Sequence, residues 1–159
     1  MIITRATEYS IRAVLHMAAK HPLPVVSKQE ICESEGVTPA FLTKILQPLI
    51  REGIVRSKRG AAGGFALAKN PEELTLLDVM KATDEPMTLN VCLMGEDASD
   101  TCERRATCPV HELWHEARAK FEDIFSRRSL ADLARERVDR RARAEGSAAD
   151  EQQVPSFLR

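Results

Sequence analysis

Aromatic residues are scarce: one Trp, one Tyr and five Phe account for 4% of the 159 residues. None is interleaved with the basic stretch described below, which argues against a surface that stacks the bases of single-stranded nucleic acid. Long hydrophobic runs are missing too. Nothing approaches the roughly 20 apolar residues of a spanning helix, so no membrane partner is predicted. Glu8 and Arg12 interrupt the apolar N-terminal stretch before a secretory core could form, which predicts a cytoplasmic protein. Excess charge is also missing. A net charge of −1 excludes a wholesale polycation but permits a local basic patch. What remains is 43% hydrophobic and 30% charged, a composition that can build a core and argues against a disordered chain. The length predicts about one domain with a helical extension.

Charge and glycine are unevenly placed. Residues 21–70 hold Lys28, Lys44, Arg51, Arg56, Lys58, Arg59 and Lys69 against Glu30, Glu33, Glu35 and Glu52. Residues 71–103 are acidic, with Lys81 as their one cation. Gly36, Gly53, Gly60, Gly63 and Gly64 fall in the basic part. The sequence predicts a first helix over about Thr4–Lys20, apolar around much of its circumference and ended by Pro22 and Pro24. Ser27-x-x-Glu30 reads as a capping box that starts a second helix, and Gly36 can take the left-handed conformation that stops it. Thr38 as cap and Pro39 at the first helical position start a third helix, ending near Gly53. Pro48 is expected to kink or split it near Lys44. Two short apolar runs, 54–56 and 65–68, flank a glycine-rich basic linker and read as a hairpin. Thr75-x-x-Asp78 starts a short helix, Pro109 opens a long one with Val110, Trp114, Ala117, Phe121 and Phe125 at helical spacing, and Ser129-x-x-Asp132 caps another.

On the third helix Phe41, Leu42, Ile45, Leu46 and Leu49 form an apolar face. Ala40, Thr43, Lys44 and Gln47 recur at i, i+3, i+4, i+7 on the other. Small, polar and cationic side chains in that pattern suit base edges and phosphates of a major groove. Capped helix, tight glycine turn, second helix and basic hairpin together make a winged helix-turn-helix pattern. Ala40, Thr43 and Gln47 are the expected base contacts, and Lys44, Lys58 and Arg59 the expected phosphate or groove contacts. Lys28, Thr38, Pro39, Ser57 and Gly60 complete the expected DNA-facing set.

Four cysteines without an export signal point to metal or redox chemistry rather than disulfides. Cys32 stands alone and is expected in the core, as are Tyr9 and Trp114. The others form Cys92-x9-Cys102-x5-Cys108-x2-His111. Soft, anionic thiolates bind iron–sulfur clusters or zinc. Three of them need a fourth ligand: His111, a carboxylate, or a group from another subunit. A structural Cys₃His zinc site is the alternative. His111-Glu112-Leu113-Trp114-His115 also reads as the H-E-x-x-H motif of zinc proteases, but no further ligand of the usual kind follows, and no enzyme is predicted.

With Thr4-x4-Tyr9, Gly36-Val37-Thr38-Pro39-Ala40-Phe41-Leu42, Glu52-Gly53-Ile54-Val55-Arg56-Ser57, Arg59-Gly60-x2-Gly63-Gly64-Phe65-x-Leu67, Leu76-x-Asp78-Val79, Leu113-Trp114 and Ser129-Leu130-Ala131-Asp132-Leu133, the chain resembles the cluster-binding winged-helix regulators that include IscR, NsrR and RirA. The resemblance spans about residues 1–135. It implies a homodimer built on the long helix after the cysteines and an iron–sulfur cluster, 2Fe–2S or 4Fe–4S, that controls DNA affinity in response to redox, nitric oxide or iron status. His111 stands where IscR-like members carry a histidine ligand. Glu8 stands where NsrR-like members carry a carboxylate ligand supplied by the partner subunit. The nine-residue gap between Cys92 and Cys102 is longer than in those members, which leaves the fourth ligand open.

The expected fold is therefore mainly α with a small β wing. It divides into a winged helix-turn-helix over 1–80, a linker helix end and cysteine cluster loop over 81–108, a dimerisation helix and C-terminal helix over 109–138, and a disordered tail over 139–159. The expected partner is double-stranded DNA with a roughly palindromic operator.

Overall fold

A computed structural model describes residues 3–23, 25–60, 62–83, 104 and 107–152, with side chains described as far as residue 144. Six helices and one two-stranded antiparallel sheet occur among them. Helix α1 spans Arg5–Ala19, α2 Lys28–Glu35 and α3 Pro39–Arg51. Strands β1 (Val55–Lys58) and β2 (Gly64–Leu67) follow, then α4 (Leu76–Ala82), α5 (His111–Ser126) and α6 (Leu130–Gln152). No helix among the described residues is long and apolar enough to cross a membrane.

The helix starts follow their caps. Thr4, Ser27, Thr38 and Thr75 each accept a backbone N–H three residues on, which satisfies a donor the helix itself cannot. Thr75 and Asp78 form a full reciprocal box, and Ser129 and Asp132 exchange the same pair of bonds. The expected box at Ser27 is only half made. Ser27 accepts from the Glu30 N–H at 3.1 Å, but the Glu30 carboxylate turns to α1, reaching His16 Nε2 at 3.3 Å and Lys20 Nζ at 3.0 Å. Gly36 ends α2 at φ +67°, a left-handed conformation that costs a residue with a Cβ about 1–2 kcal/mol.

Pro48 does not split α3, contrary to the sequence expectation: the helix runs unbroken through it to Arg51. Leu42, Ile45, Leu46 and Leu49 are all buried on one side, and that packing holds the helix across the missing hydrogen bond. Lys44, whose carbonyl loses its donor, lies on the exposed side where water is available. The apolar faces of α1 (Ala13, Val14, Met17), α3 and α4 (Val79) meet in one core with Ile31, Val55 and Leu130. Cys32 belongs to it at 8% exposure, as expected. Tyr9 packs against it half-buried, its ring edge-on to Phe41 at 5.7 Å, and the buried Ser10 hydroxyl donates to the Ile45 carbonyl at 3.1 Å. Helix α1 is thus the platform on which α3 is seated.

Helix α6 is the main departure from the sequence reading. Residues 139–152, expected as part of a disordered tail, continue the helix. Distant partners seat the helix as far as Arg141. Arg137 Nη1 donates to the Arg12 carbonyl at 2.7 Å, and Arg141 Nη1 donates to Ser34 Oγ at 3.3 Å. Glu136 pairs with Arg140 one turn on, adding local support. Residues 153–159 lie outside the described residues.

Those contacts converge on Glu35. Its side chain is 1% exposed and faces Arg12 Nε at 3.1 Å, His16 Nδ1 at 3.5 Å, Arg137, and Arg141 at 3.8 Å. The Ser34 hydroxyl donates to it at 3.0 Å. Burial pushes the carboxyl up, but hydrogen bonds from His16 and Arg137, the Arg137 charge and Ser34 outweigh burial and hold it at about 2, below its ordinary 4.5. A depressed carboxylate stabilises the fold above the ordinary value and loses that contribution as pH falls towards the folded one. Glu35→Gln leaves the arginines without their counter-charge and is expected to cost about 3 kcal/mol at neutral pH. Urea denaturation should show that deficit shrinking as pH falls below about 4.5. A deficit independent of pH would contradict the assignment.

Candidate nucleic-acid interface and metal ligands

The two faces of α3 separate as its period requires. Leu42, Ile45, Leu46 and Leu49 are buried, whereas Thr38, Pro39, Ala40, Lys44 and Gln47 are exposed and Thr43 is half-buried. The Thr43 hydroxyl donates to the Pro39 carbonyl at 2.8 Å, which leaves its oxygen as an acceptor towards solvent. Lys28 is exposed at the start of α2. Thus the helix-turn-helix presents the predicted α3 side chains on one face.

The wing is pinned at its base. Val55 pairs with Leu67 and Lys58 with Gly64, so Ser57, Lys58 and Gly64, read from the sequence as linker, belong to the strands. Val26, just before α2, bridges Phe65 through both backbone bonds, N–H to O at 2.8 Å and 2.9 Å. This tie brings the Val26 carbonyl against Gly64, where a Cβ would meet its oxygen at 2.0 Å. Ser57, Lys58, Arg59 and Gly60 are exposed beyond that anchor.

The predicted metal ligands divide differently. Cys92 and Cys102 lie outside the described residues. Cys108 is half-buried with a free thiol. The His111 N–H donates to its carbonyl at 3.3 Å, so the two stand on adjoining turns where α5 begins. His111 is 3% exposed, and its buried Nδ1 has no hydrogen-bond partner among the described residues. The His115 ring stands edge-on to it at 4.6 Å. Trp114 is half-buried, and its Nε1 likewise has no partner among the described residues. Glu8, by contrast, is exposed on α1 and pairs with Arg12 at 3.7 Å. No group of three or more His, Cys, Asp or Glu close enough for a metal occurs among the described residues of the single chain.

Sequence reasoning missed the Glu35 cluster. It also left His16 without a partner, although His16 lies between Glu30 and Glu35. The available signal was Arg12 and His16 one turn apart on a largely apolar helix, a pair that burial obliges to find a counter-charge.

A family model described as Rrf2, iron-dependent transcriptional regulator, matches residues 3–136. The chain belongs to the Rrf2 family. Among curated relatives, the HTH-type transcriptional regulator NsrR of Shouchella clausii is 29% identical over 142 residues, covering 89% of this chain and 94% of that one. Protein aau3 of Rhizobium meliloti is 31% identical over 137 residues, covering 86% and 87%. Among solved structures, the global cysteine regulator CymR of B. subtilis superposes with a TM-score of 0.66 at 26% identity, covering 84% of this chain and 96% of that one. IscR of T. potens has a TM-score of 0.65 at 18% identity, covering 99% and 96%, and so speaks to the fold alone. The winged-helix architecture is that of these regulators. A member of this family is a DNA-binding transcriptional regulator and not an enzyme, so the H-E-x-x-H spacing is a coincidence of the α5 start.

Because Gly64 meets backbone rather than a movable side chain, Gly64→Ala must shift the Val26 tie. It is expected to cost about 1–3 kcal/mol in urea denaturation. A protein as stable as the wild type would show that the wing is not seated there.

Proposed function

We propose that this chain is a cytoplasmic, homodimeric regulator whose DNA affinity is controlled by an iron–sulfur cluster held by Cys92, Cys102, Cys108 and His111. The observation that carries the ligand reading is the buried Nδ1 of His111, which has no hydrogen-bond partner among the described residues. A buried ring nitrogen without a partner loses its hydration and gains nothing, at a cost of about 1–3 kcal/mol. A ligand role supplies the missing partner, and it comes one turn after a half-buried free thiol. Glu8 offers no such deficit, since it is solvated and already paired. The residues present therefore fit a mixed thiolate–imidazole set. When bound, the cluster supplies redox- and nitric-oxide-sensitive iron whose loss or change alters the constraint on its ligands.

The chain turns that constraint into position. Cys108 and His111 fix the first turn of α5, and α6 follows after residues 127–129. Leu130 buries its side chain completely and donates its N–H to the Leu74 carbonyl at 2.7 Å, so α6 is joined to the head that carries α3. Leu113 and Ile124 on α5 are 60% and 58% exposed, and burying them against a second copy completes the dimer. The two α3 helices then address half-sites about one helical turn apart on a roughly palindromic operator. Ala40, Thr43 and Gln47 read bases. Lys28, Thr38, Pro39, Lys44, Ser57, Lys58, Arg59 and Gly60 flank them along the backbone and groove.

Protein purified without oxygen should be brown and hold iron and sulfide in about equal amounts. His111→Ala should lower both and Glu8→Ala should leave them unchanged. The reverse pattern would hand the ligand role to Glu8, and colourless protein loaded with zinc would overturn the cluster altogether. Lys58→Ala should weaken binding to a duplex selected from a random pool and reduce the slope of log affinity against log salt by about 1. An unchanged slope would remove the wing from the interface. Ile124→Arg should sediment as a monomer, and a dimer would count against α5 as the subunit contact.

A further inference from the structure

We infer that Glu35 and Arg137 are positioning residues for the DNA-reading helix, through which α6 sets the angle of the turn between α2 and α3. The inference rests on the reading of α3 as the base-contacting element and goes beyond it, because neither side chain lies on the DNA-facing surface.

The geometry starts at the turn. Glu35 is the last residue of α2, Gly36 at φ +67° is the pivot, and Thr38 caps α3. Any rotation of α2 against α3 is absorbed across Gly36, Val37 and Thr38. One residue before the pivot, the Glu35 carboxylate is held from two other helices. Arg12 Nε and His16 Nδ1 come from α1, at 3.1 Å and 3.5 Å, and Arg137 comes from α6. Arg137 is a fork rather than a point contact. Its Nη2 pairs with Glu35 while its Nη1 donates to the Arg12 carbonyl at 2.7 Å, so one planar group ties α2 to α1. The neighbouring Ser34 is held as well, by Arg141 at 3.3 Å. The final turn of α2 is thereby clasped at two consecutive side chains by α6.

Burial makes the clasp directional. Glu35 is 1% and Arg137 18% exposed, so neither can exchange its partner for water cheaply if α6 shifts. Arg137 and Arg141 also lie beyond residue 136, where the family match ends, so this clasp belongs to the C-terminal extension of the helix. Movement of α6, whatever drives it, is passed to the pivot beside α3 through a nearly dry guanidinium that bonds Glu35 and the Arg12 carbonyl together.

The test uses full-length protein, with stability measured beside affinity for a selected duplex under conditions where every variant is folded. Arg137→Gln is expected to weaken DNA binding about tenfold with the salt slope unchanged, because no phosphate contact is lost. Arg137→Lys keeps the charge but not the fork, folds more readily, and should fall between the two. In Glu35→Gln/Arg137→Gln the two losses should not add, since both remove one contact. Amide exchange should quicken at residues 36–38 more than in α4. Three results would overturn the inference. Wild-type affinity in folded Arg137→Gln would make the pair merely stabilising. A salt slope reduced by about 1 would make Arg137 a phosphate contact instead. Additive losses in the double variant would uncouple the two residues. Gln47→Ala separates this from the reading beneath it. If Gln47→Ala binds as well as wild type, the α3 reading fails and takes the inference with it. If Gln47→Ala is weak and Arg137→Gln is not, the inference fails alone.

Discussion

A carboxylate with almost no water holds this molecule's head together. Glu35 closes α2 at the one place where the chain must turn left-handed into α3, and it draws Arg12, His16, Arg137 and Arg141 around it. Breaking one partner out of such a group strands the others, which is why an ion cluster that contributes little net stability can still enforce one arrangement. The apolar core beneath it is general: Leu42, Leu46, Leu49, Val14 and Ile31 would accept small rotations of α3. The directional bonds would not. Core burial supplies the driving force, and the Glu35 cluster, Ser10–Ile45 and the Val26–Phe65 tie supply the geometry.

That division of labour suits a regulator of this family. The α3 surface and the wing tip are exposed and carry mostly short or cationic side chains. A change of about 1.4 kcal/mol is tenfold in binding. Under the proposed function, a clasp that links α6 to the turn and ligands at the start of α5 would place two controls on successive helices. The thiolates and His111 form one control and Glu35–Arg137 the other.

How much of this was legible in the sequence depended on range. Capping side chains act over three residues, so the starts at Thr4, Ser27, Thr38, Thr75 and Ser129 were readable, as was the left-handed stop at Gly36. The face of α3 was readable because periodicity is local. Tertiary packing decided the rest. Pro48 stays inside α3 because the buried face holds it. Glu30 leaves its capping box for His16 and Lys20. Residues 139–152 continue α6, which Arg137 and Arg141 seat on partners from the first forty residues, a pairing that no local pattern reveals. At the metal ligands, spacing named His111, while Glu8 entered only through the family resemblance, as a ligand from a partner subunit. Among the described residues the His111 Nδ1 is buried without a partner, and Glu8 is exposed and paired with Arg12.

The central claim is that cluster state controls DNA affinity, and one titration tests it directly. Protein prepared without oxygen, bound to a fluorescent selected duplex, is exposed stepwise to nitric oxide while visible absorbance and anisotropy are read in the same cuvette. The account predicts that affinity changes about tenfold or more in step with the loss of the cluster bands. Full bleaching of those bands with affinity unchanged would contradict it.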